Sequence, residues 1–283
     1  MVTGAIFVVV FSLLAYAVVK FRKRGAESRE PAQVYGSTQV EIAWTVIPVL
    51  IVVILFLATA RVIAGIQNAA LPDNALQVTV IGHQFWWEYR YPKSNVVTAN
   101  ELHIPVGEPT LLTLLSADTD HSFWVPRLGG KTDLIPNHPN SMWMDPRETG
   151  LYLGQCAQYC GTQHAKMLLM VYVQTRQDFD RWIREQSQPP QRATSEGRRI
   201  FEGLSCVNCH TVAGTAAKGS FGPDLTHFMS RATLASGAAP NTPENLRSWI
   251  KDPSVIKPGS KMPAMGLSDP ELDALTTYLE TLH

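Results

Sequence analysis

The chain has 283 residues, enough for one large domain or two modest ones, and a formal net charge of zero from 24 basic and 24 acidic side chains. Neither half is strongly basic and no Lys/Arg run follows the apolar N-terminal region, which speaks against nucleic acid as a partner. The four cysteines, Cys156, Cys160, Cys206 and Cys209, form two close pairs with a histidine just downstream of each. They are too few and too clustered for a disulfide framework and read as metal or cofactor attachment, with two local disulfides as the alternative.

Two apolar stretches dominate the first quarter. Residues 2–19 carry no charge and are about 18 long, the lower limit for a membrane span. Residues 42–60 are equally uncharged and end at Arg61. The run Lys20-Phe-Arg-Lys-Arg24 and Arg29 lie between them, and positive charge marks the cytoplasmic side. The expected topology is an outside N-terminus, a short cytoplasmic loop and a return, so that everything after residue 66 faces the periplasm or exterior. A cleaved signal followed by one span is the alternative, although signal sequences carry their charges before the apolar run. The first span opens at Met1 and is short, which leaves room for a true start upstream.

Residues 75–175, within a domain expected over 67–178, carry strand signals. Leu76-Gln-Val-Thr-Val-Ile81 alternates and is β-rich, Thr110-Leu-Leu-Thr-Leu-Leu115 and Met167-Leu-Leu-Met-Val-Tyr-Val173 are continuous apolar runs, and Pro, Gly, Asn and Asp punctuate between them. That pattern predicts an all-β sandwich or barrel. Asp178-Phe-Asp-Arg-Trp-Ile-Arg184 reads as a short amphipathic helix at the start of a linker over residues 179–192, whose Gln186-Ser-Gln-Pro-Pro-Gln191 is polar and proline-bearing. Residues 193–283 are helical in pattern: Thr194 is the expected cap of a helix through Arg199-Ile-Phe-Glu202, and Ser268 caps an amphipathic C-terminal helix. A domain of that size gains from a large bound cofactor.

Cys206-Val-Asn-Cys209-His210 is a C-x-x-C-H motif, the spacing at which two thioethers hold one haem and the adjacent histidine binds its iron. A later thioether can complete the iron, with Met262 the first choice and Met265 the second. This segment resembles class I cytochrome c over its whole length, and Gly222-Pro223-Asp-Leu225 resembles the family stretch whose proline packs near the axial histidine.

Cys156-Ala-Gln158-Tyr-Cys160-Gly-Thr-Gln-His164-Ala-Lys-Met167 packs two thiols, an imidazole and a thioether into one loop, and His121 can add a second imidazole. Such soft ligands suit copper. Zinc is the competitor, but it would leave the methionine idle. Residues 1–185 resemble subunit II of cytochrome c oxidase, and the fused haem domain makes the caa3-type oxidases the nearest subclass. The resemblance implies a two-helix transmembrane hairpin, a cupredoxin-like sandwich holding a dinuclear copper (CuA) centre, and a small all-α cytochrome c domain, in a bacterial plasma membrane. It implies that Cys156 and Cys160 bridge two coppers, that His121 and His164 each bind one, and that Met167 and the Gln158 backbone carbonyl complete the set. His83, His103, His138, His227 and His283 receive no ligand role.

Three further expectations follow from the resemblance. The family's electron-entry tryptophan falls at Phe85, so that Trp86 takes part instead or the route differs. The family often has Glu where Gln158 stands and uses it for a magnesium ion shared with subunit I; Gln158 brings no charge, which leaves that site open. Val40-Glu41-Ile-Ala-Trp44-Thr45 resembles the start of the family's second span, where a glutamate sits near the mouth of a proton channel; an ordinary interfacial carboxylate is the other reading of Glu41. The implied function is to take electrons through haem c, pass them to CuA and on to the oxygen-reducing site of subunit I, coupled to proton translocation. Implied partners are subunits I and III and a donor, either cytochrome c or a membrane cytochrome complex. Asp118, Asp120, Asp133, Asp145 and Glu148 are candidate docking charges or plain solvated ones. A copper-domain subunit of a nitric oxide reductase and a stand-alone tethered electron carrier remain as alternatives; quinol oxidases have a related subunit that lacks the copper ligands.

Overall fold

A computed structural model describes residues 2–22, 33, 35–67, 75–190 and 195–283. Two compact units result, residues 1–69 and residues 70–283.

The first unit contains α1 (Val2–Lys20) and α2 (Thr38–Gln67), both long and apolar enough to cross a membrane. The expected second span, closed by Arg61, is the middle of a longer helix. A single arginine does not interrupt backbone hydrogen bonding, so at 1.5 Å per residue α2 extends about 45 Å, beyond the hydrocarbon thickness. Glu41 lies in its first turn. The basic residues Lys23, Arg24 and Arg29 lie outside the described residues.

The second unit begins with ten strands: β1 (Leu76–His83), β2 (Trp86–Tyr91), β3 (Val96–Ala99), β4 (Glu101–Pro105), β5 (Thr110–Ser116), β6 (His121–Trp124), β7 (Thr132–Leu134), β8 (Asn140–Met144), β9 (Gly150–Cys156) and β10 (Leu168–Gln174). They form two five-stranded sheets, ordered β3-β2-β1-β5-β8 and β4-β10-β9-β6-β7. The pairs β1/β5 and β4/β10 are parallel. Alternation along β1 buries Val78 and Val80, and along β5 buries Leu112 and Leu114. Leu102, Ile104, Phe123, Leu169 and Val171 join them in one apolar cluster with residues of both sheets, the burial that holds a sandwich together.

The chain from 179 to 186 is not a linker. It belongs to α3 (Arg176–Gln186), capped by the Thr175 hydroxyl, which accepts from the Asp178 amide at 3.2 Å. Phe179 is buried in the sandwich core, and Trp182 stacks on His103 with ring centroids 4.1 Å apart. The aromatic face of this helix has a wall to bury against, and that contact outweighs its polar composition.

The last part holds α4 (Glu196–Gly203), α5 (Cys206–Cys209), the two-strand ladder β11 (Thr233–Leu234) and β12 (Ala239–Pro240), α6 (Pro243–Lys251), α7 (Pro253–Ile256) and α8 (Asp269–Glu280). Thr194 lies outside the described residues; Ser195 caps α4, its hydroxyl accepting from the Arg198 amide at 3.2 Å. At α8, the Glu271 carboxylate accepts from the Ser268 amide at 2.9 Å and from its hydroxyl at 2.6 Å. Phe201, Leu246, Ile250, Leu272, Leu275, Tyr278 and Leu279 form a second core.

The helices α4 and α8 meet at Gly197, where any Cβ would collide with the Ala274 carbonyl. The substitution Gly197→Ala is therefore expected to cost about 1–3 kcal/mol through overpacking. Gly203→Ala, where a Cβ meets nothing within 4 Å, is expected to leave stability unchanged. Thermal unfolding of the full-length variants, followed by circular dichroism, compares the two.

Candidate functional site

The first site is built at one end of the β4-β10-β9-β6-β7 sheet. His121 is the first residue of β6, and Cys156 is the last of β9. Cys160 lies in the loop that follows, His164 opens a short 3-10 turn, and Met167 immediately precedes β10. The ends of the loop are tied by the Cys156 amide, which donates to the Met167 carbonyl at 3.0 Å, and by the Ala157 amide, which donates to the Ser122 carbonyl at 2.9 Å. Strand pairing therefore forces residues 35 and more apart in sequence to one point.

The donor atoms face one another. Cys156 Sγ and Cys160 Sγ are 3.9 Å apart. His121 Nδ1 lies 3.9 Å from Cys156 Sγ, His164 Nδ1 lies 3.7 Å from Cys160 Sγ, and Met167 Sδ lies 3.8 Å from Cys160 Sγ. The Gln158 carbonyl accepts from the Cys156 thiol at 3.1 Å. The ligating atoms of His121, Cys156 and Cys160 fall within 4.8 Å of one another. With metal–sulfur bonds of about 2.3 Å, both thiolates can reach a shared ion. Two thiolates, two imidazoles and a thioether are a soft set that suits copper, and all five side chains find use in it.

Electrostatics prepares the pair. The hydrogen bond between the thiols, followed by that from His121, draws Cys156 well below the ordinary thiol range; the same coupling and burial push Cys160 up. The two shifts run in opposite directions, so placing a second negative charge on the pair calls for a cation to offset it. The outer shell is equally ordered. His121 Nε2 donates to Asp118 Oδ1 at 2.8 Å, which leaves Nδ1 for the site. Burial works to raise the Asp118 carboxyl, but hydrogen bonds from His121 and from the amides of Gln84 and Thr119 outweigh it and hold the group low. Asp118 thus positions His121 and is not a free docking charge. Asp118-x-x-His121 was visible in the sequence as a pair, but only the turn between β5 and β6 folds the carboxylate back onto the ring. Gly82 lets β1 approach closely, since a Cβ there would lie 2.8 Å from His121 Cδ2.

The aromatic residues divide. Trp86 is buried and stacks on His83 with centroids 4.1 Å apart. Trp87 forms T-shaped contacts with His121 and Phe123, at centroid distances of 6.0 and 5.7 Å. Phe85 is packed against Gly161, where a Cβ would lie 3.0 Å from Phe85 Cζ, beside Cys160. Histidines given no ligand role have other partners: His83 pairs with Glu88 at 3.0 Å, His103 with Gln174 at 3.1 Å, and His227 with the Gln188 carbonyl at 2.9 Å.

The second site surrounds α5. Its single turn brings Cys206 and Cys209 beside His210, whose amide donates to the Cys206 carbonyl at 2.9 Å. His210 Nδ1 lies 2.7 Å from the Pro223 carbonyl. A carbonyl can only accept, so the proton is on Nδ1 and Nε2 is left bare for a metal. Burial also lowers the His210 pKa, which disfavours the charged ring. Gly222 permits this approach: a Cβ there would strike the His210 ring. No disulfide joins the two cysteines, so both sulfurs suit thioether attachment of a haem. Met262 and Met265 are half-buried in the segment before α8, and Met265 Sδ lies 3.9 Å from the Ser205 hydroxyl. The donors of this site fit a haem held by two thioethers and an axial imidazole.

Family models match the chain in three consecutive stretches. Residues 1–62 match the transmembrane domain of cytochrome c oxidase subunit II, residues 94–174 match its periplasmic domain, and residues 194–283 match cytochrome c. Cytochrome c oxidase subunit 2 of Alkalihalophilus pseudofirmus is 37% identical, across 99% of this chain and 84% of that protein. The subunit of the same name from Bacillus sp. (strain PS3) is 34% identical, across 92% and 79%. Among solved structures, the periplasmic domain of subunit II of cytochrome oxidase of Bradyrhizobium japonicum is 28% identical, covers 41% of this chain and 96% of its own, and gives a TM-score of 0.40. The two apolar helices are thus the transmembrane part, and the exterior part is periplasmic, as in bacterial subunit II. The chain is part of an oxidoreductase complex and belongs to the cytochrome c oxidase subunit II family, in the form that carries a cytochrome c domain at its C-terminus.

Proposed function

We propose that the chain relays electrons for its oxidase: Cys206, Cys209, His210 and Met262 would hold a haem, and His121, Cys156, Cys160, His164, Met167 and the Gln158 carbonyl would hold a dinuclear copper centre, the two groups supplying the one-electron chemistry that feeds subunit I. The observation that carries this reading is the meeting of two thiols, two imidazoles and a thioether in one tight cluster. When bound, the two groups each take up and release one electron at a time. The chain's own residues supply attachment, orientation and tuning. Pro223 fixes the His210 ring, Asp118 fixes the His121 ring, and the buried Met167 keeps water from the thiolates. Met262 is favoured over Met265 because the Met265 sulfur already faces Ser205. Subunit I is the partner on the membrane side. Glu41, in the first turn of α2, is the carboxylate this reading assigns to proton entry. Subunit III and the external donor are further parts of the proposed assembly.

Cys160→Ser in the full-length protein is expected to abolish the visible and near-infrared thiolate–copper absorption and to reduce bound copper, while the haem spectrum persists. Zinc in the wild type, or one copper without those bands, would sink the dinuclear assignment. Asp118→Asn keeps the shape but weakens the hold on His121; copper affinity is expected to fall by about 10–100-fold, read by competition with a chelator. For the haem, Met262→Ala is expected to give a high-spin spectrum and a lower reduction potential, with Met265→Ala unchanged; the reverse pattern reassigns the ligand.

A further inference from the structure

The two cofactor-binding parts meet across an interface whose contacts lie outside both ligand sets. Lys257, just after α7, is 3% exposed. Its Nζ donates to the Phe85 carbonyl of the sandwich at 2.8 Å and to the Ala235 carbonyl of its own domain at 2.9 Å. Burial draws its pKa down to about 7, yet the amino group can donate to both carbonyls whether or not it is charged.

Its neighbours are tied to the copper loop on both sides. The Ile256 carbonyl accepts from Lys166 Nζ at 3.0 Å, the Pro258 carbonyl accepts from the Gln163 side chain, and Lys261 Nζ donates to the Gln84 side chain. The turn that offers the Ala235 carbonyl is also anchored: the Ser236 hydroxyl donates to the Leu168 carbonyl at 2.7 Å, and Ser236 returns its own carbonyl to the Leu168 amide at 3.2 Å. Ala235 and Ser236 hold left-handed backbone, with φ of 54° and 62°, a conformation that persists only when surrounding contacts require it. At the far edge, the buried Glu101 accepts from the amides of Ala232 and Thr233 at 2.9 and 3.0 Å. Fleeting electron-transfer encounters are small and wet, and a buried amino group serving both sides is foreign to them. Lys257 stands five residues before Met262, and on the other side Phe85 lies against Gly161 beside Cys160.

We propose that Lys257 is a positioning residue that locks the cytochrome c domain onto the Phe85 face of the copper loop, so that haem-to-copper transfer occurs within one fixed body and not by docking. The proposal rests on the relay described above. In that step one electron leaves the haem iron and reduces the copper pair, and no bond or proton changes hands.

The test uses the assembled oxidase. The haem is reduced by a light pulse, and its reoxidation is followed together with bleaching of the thiolate–copper band. In the wild type, a single fast phase independent of ionic strength is expected. In Lys257→Met, with both absorptions intact, the rate is expected to fall about tenfold or more and to become salt-dependent, since losing two buried hydrogen bonds and leaving their carbonyls unpaired shifts a docking equilibrium by about that factor. Intact absorptions with the wild-type rate would overturn the proposal. Absence of either absorption from the wild type would instead overturn the relay reading. A second measurement needs no variant: brief treatment of the native oxidase with an amine-acylating reagent is expected to spare Lys257 and to modify the exposed Lys218 and Lys251. Lys257 modified as fast as those two would show that the domains are not locked.

Discussion

The site depends first on the closure of one loop. The Cys156 amide and the Met167 carbonyl pair at the mouth of the β9–β10 hairpin, and the ten residues between them must turn back within that span. Gly161, at φ 130°, takes a backbone conformation that a side chain would resist and leaves room for the Phe85 ring. The turn places Cys160 opposite Cys156, and β6, pairing with β9, delivers His121. Without the strand pairing these donors would be scattered along more than forty residues. With it they form a preorganised cage whose ordering cost is met by the sandwich core before any metal arrives.

The same economy governs the haem side, with a different device. A single helical turn cannot be stable alone, so α5 relies on the loop that crosses over it. Gly219 and Gly222 donate their amides to the carbonyls of His210 and Cys209, and Pro223 fixes the imidazole from above. Bulky residues at either glycine would meet the backbone of the C-x-x-C-H turn or the His210 ring. The motif is therefore half of the site, and the glycine-bearing loop is the other half.

Much of this was legible in the sequence because the signals are local. Apolar length marked both spans, alternation marked β1, and continuous apolar runs marked β5 and β10. What escaped depends on contacts between distant residues. Residues 178–184 read as an amphipathic helix, but one that opens a linker until Phe179 and Trp182 find Tyr91 and His103. Asp118 looks like a solvated loop charge until the chain folds it onto His121. Lys257 sits in a Pro- and Gly-bearing stretch with no periodic pattern, and its partner Phe85 is 172 positions away. No periodicity records a contact of that kind. The helix α2 outran its apolar run because helix continuity is set by backbone hydrogen bonds, whereas the membrane limit is set by side-chain polarity.

The central claim is that Cys156 and Cys160 together hold a pair of coppers that share one electron. Electron paramagnetic resonance of the oxidised full-length protein tests it most directly, since the hyperfine pattern counts the nuclei that carry the unpaired spin. The account predicts a pattern from one electron spread equally over two copper nuclei, lost in a Cys160→Ser protein. A pattern from a single copper nucleus, or no copper signal beside that of the haem, would contradict it.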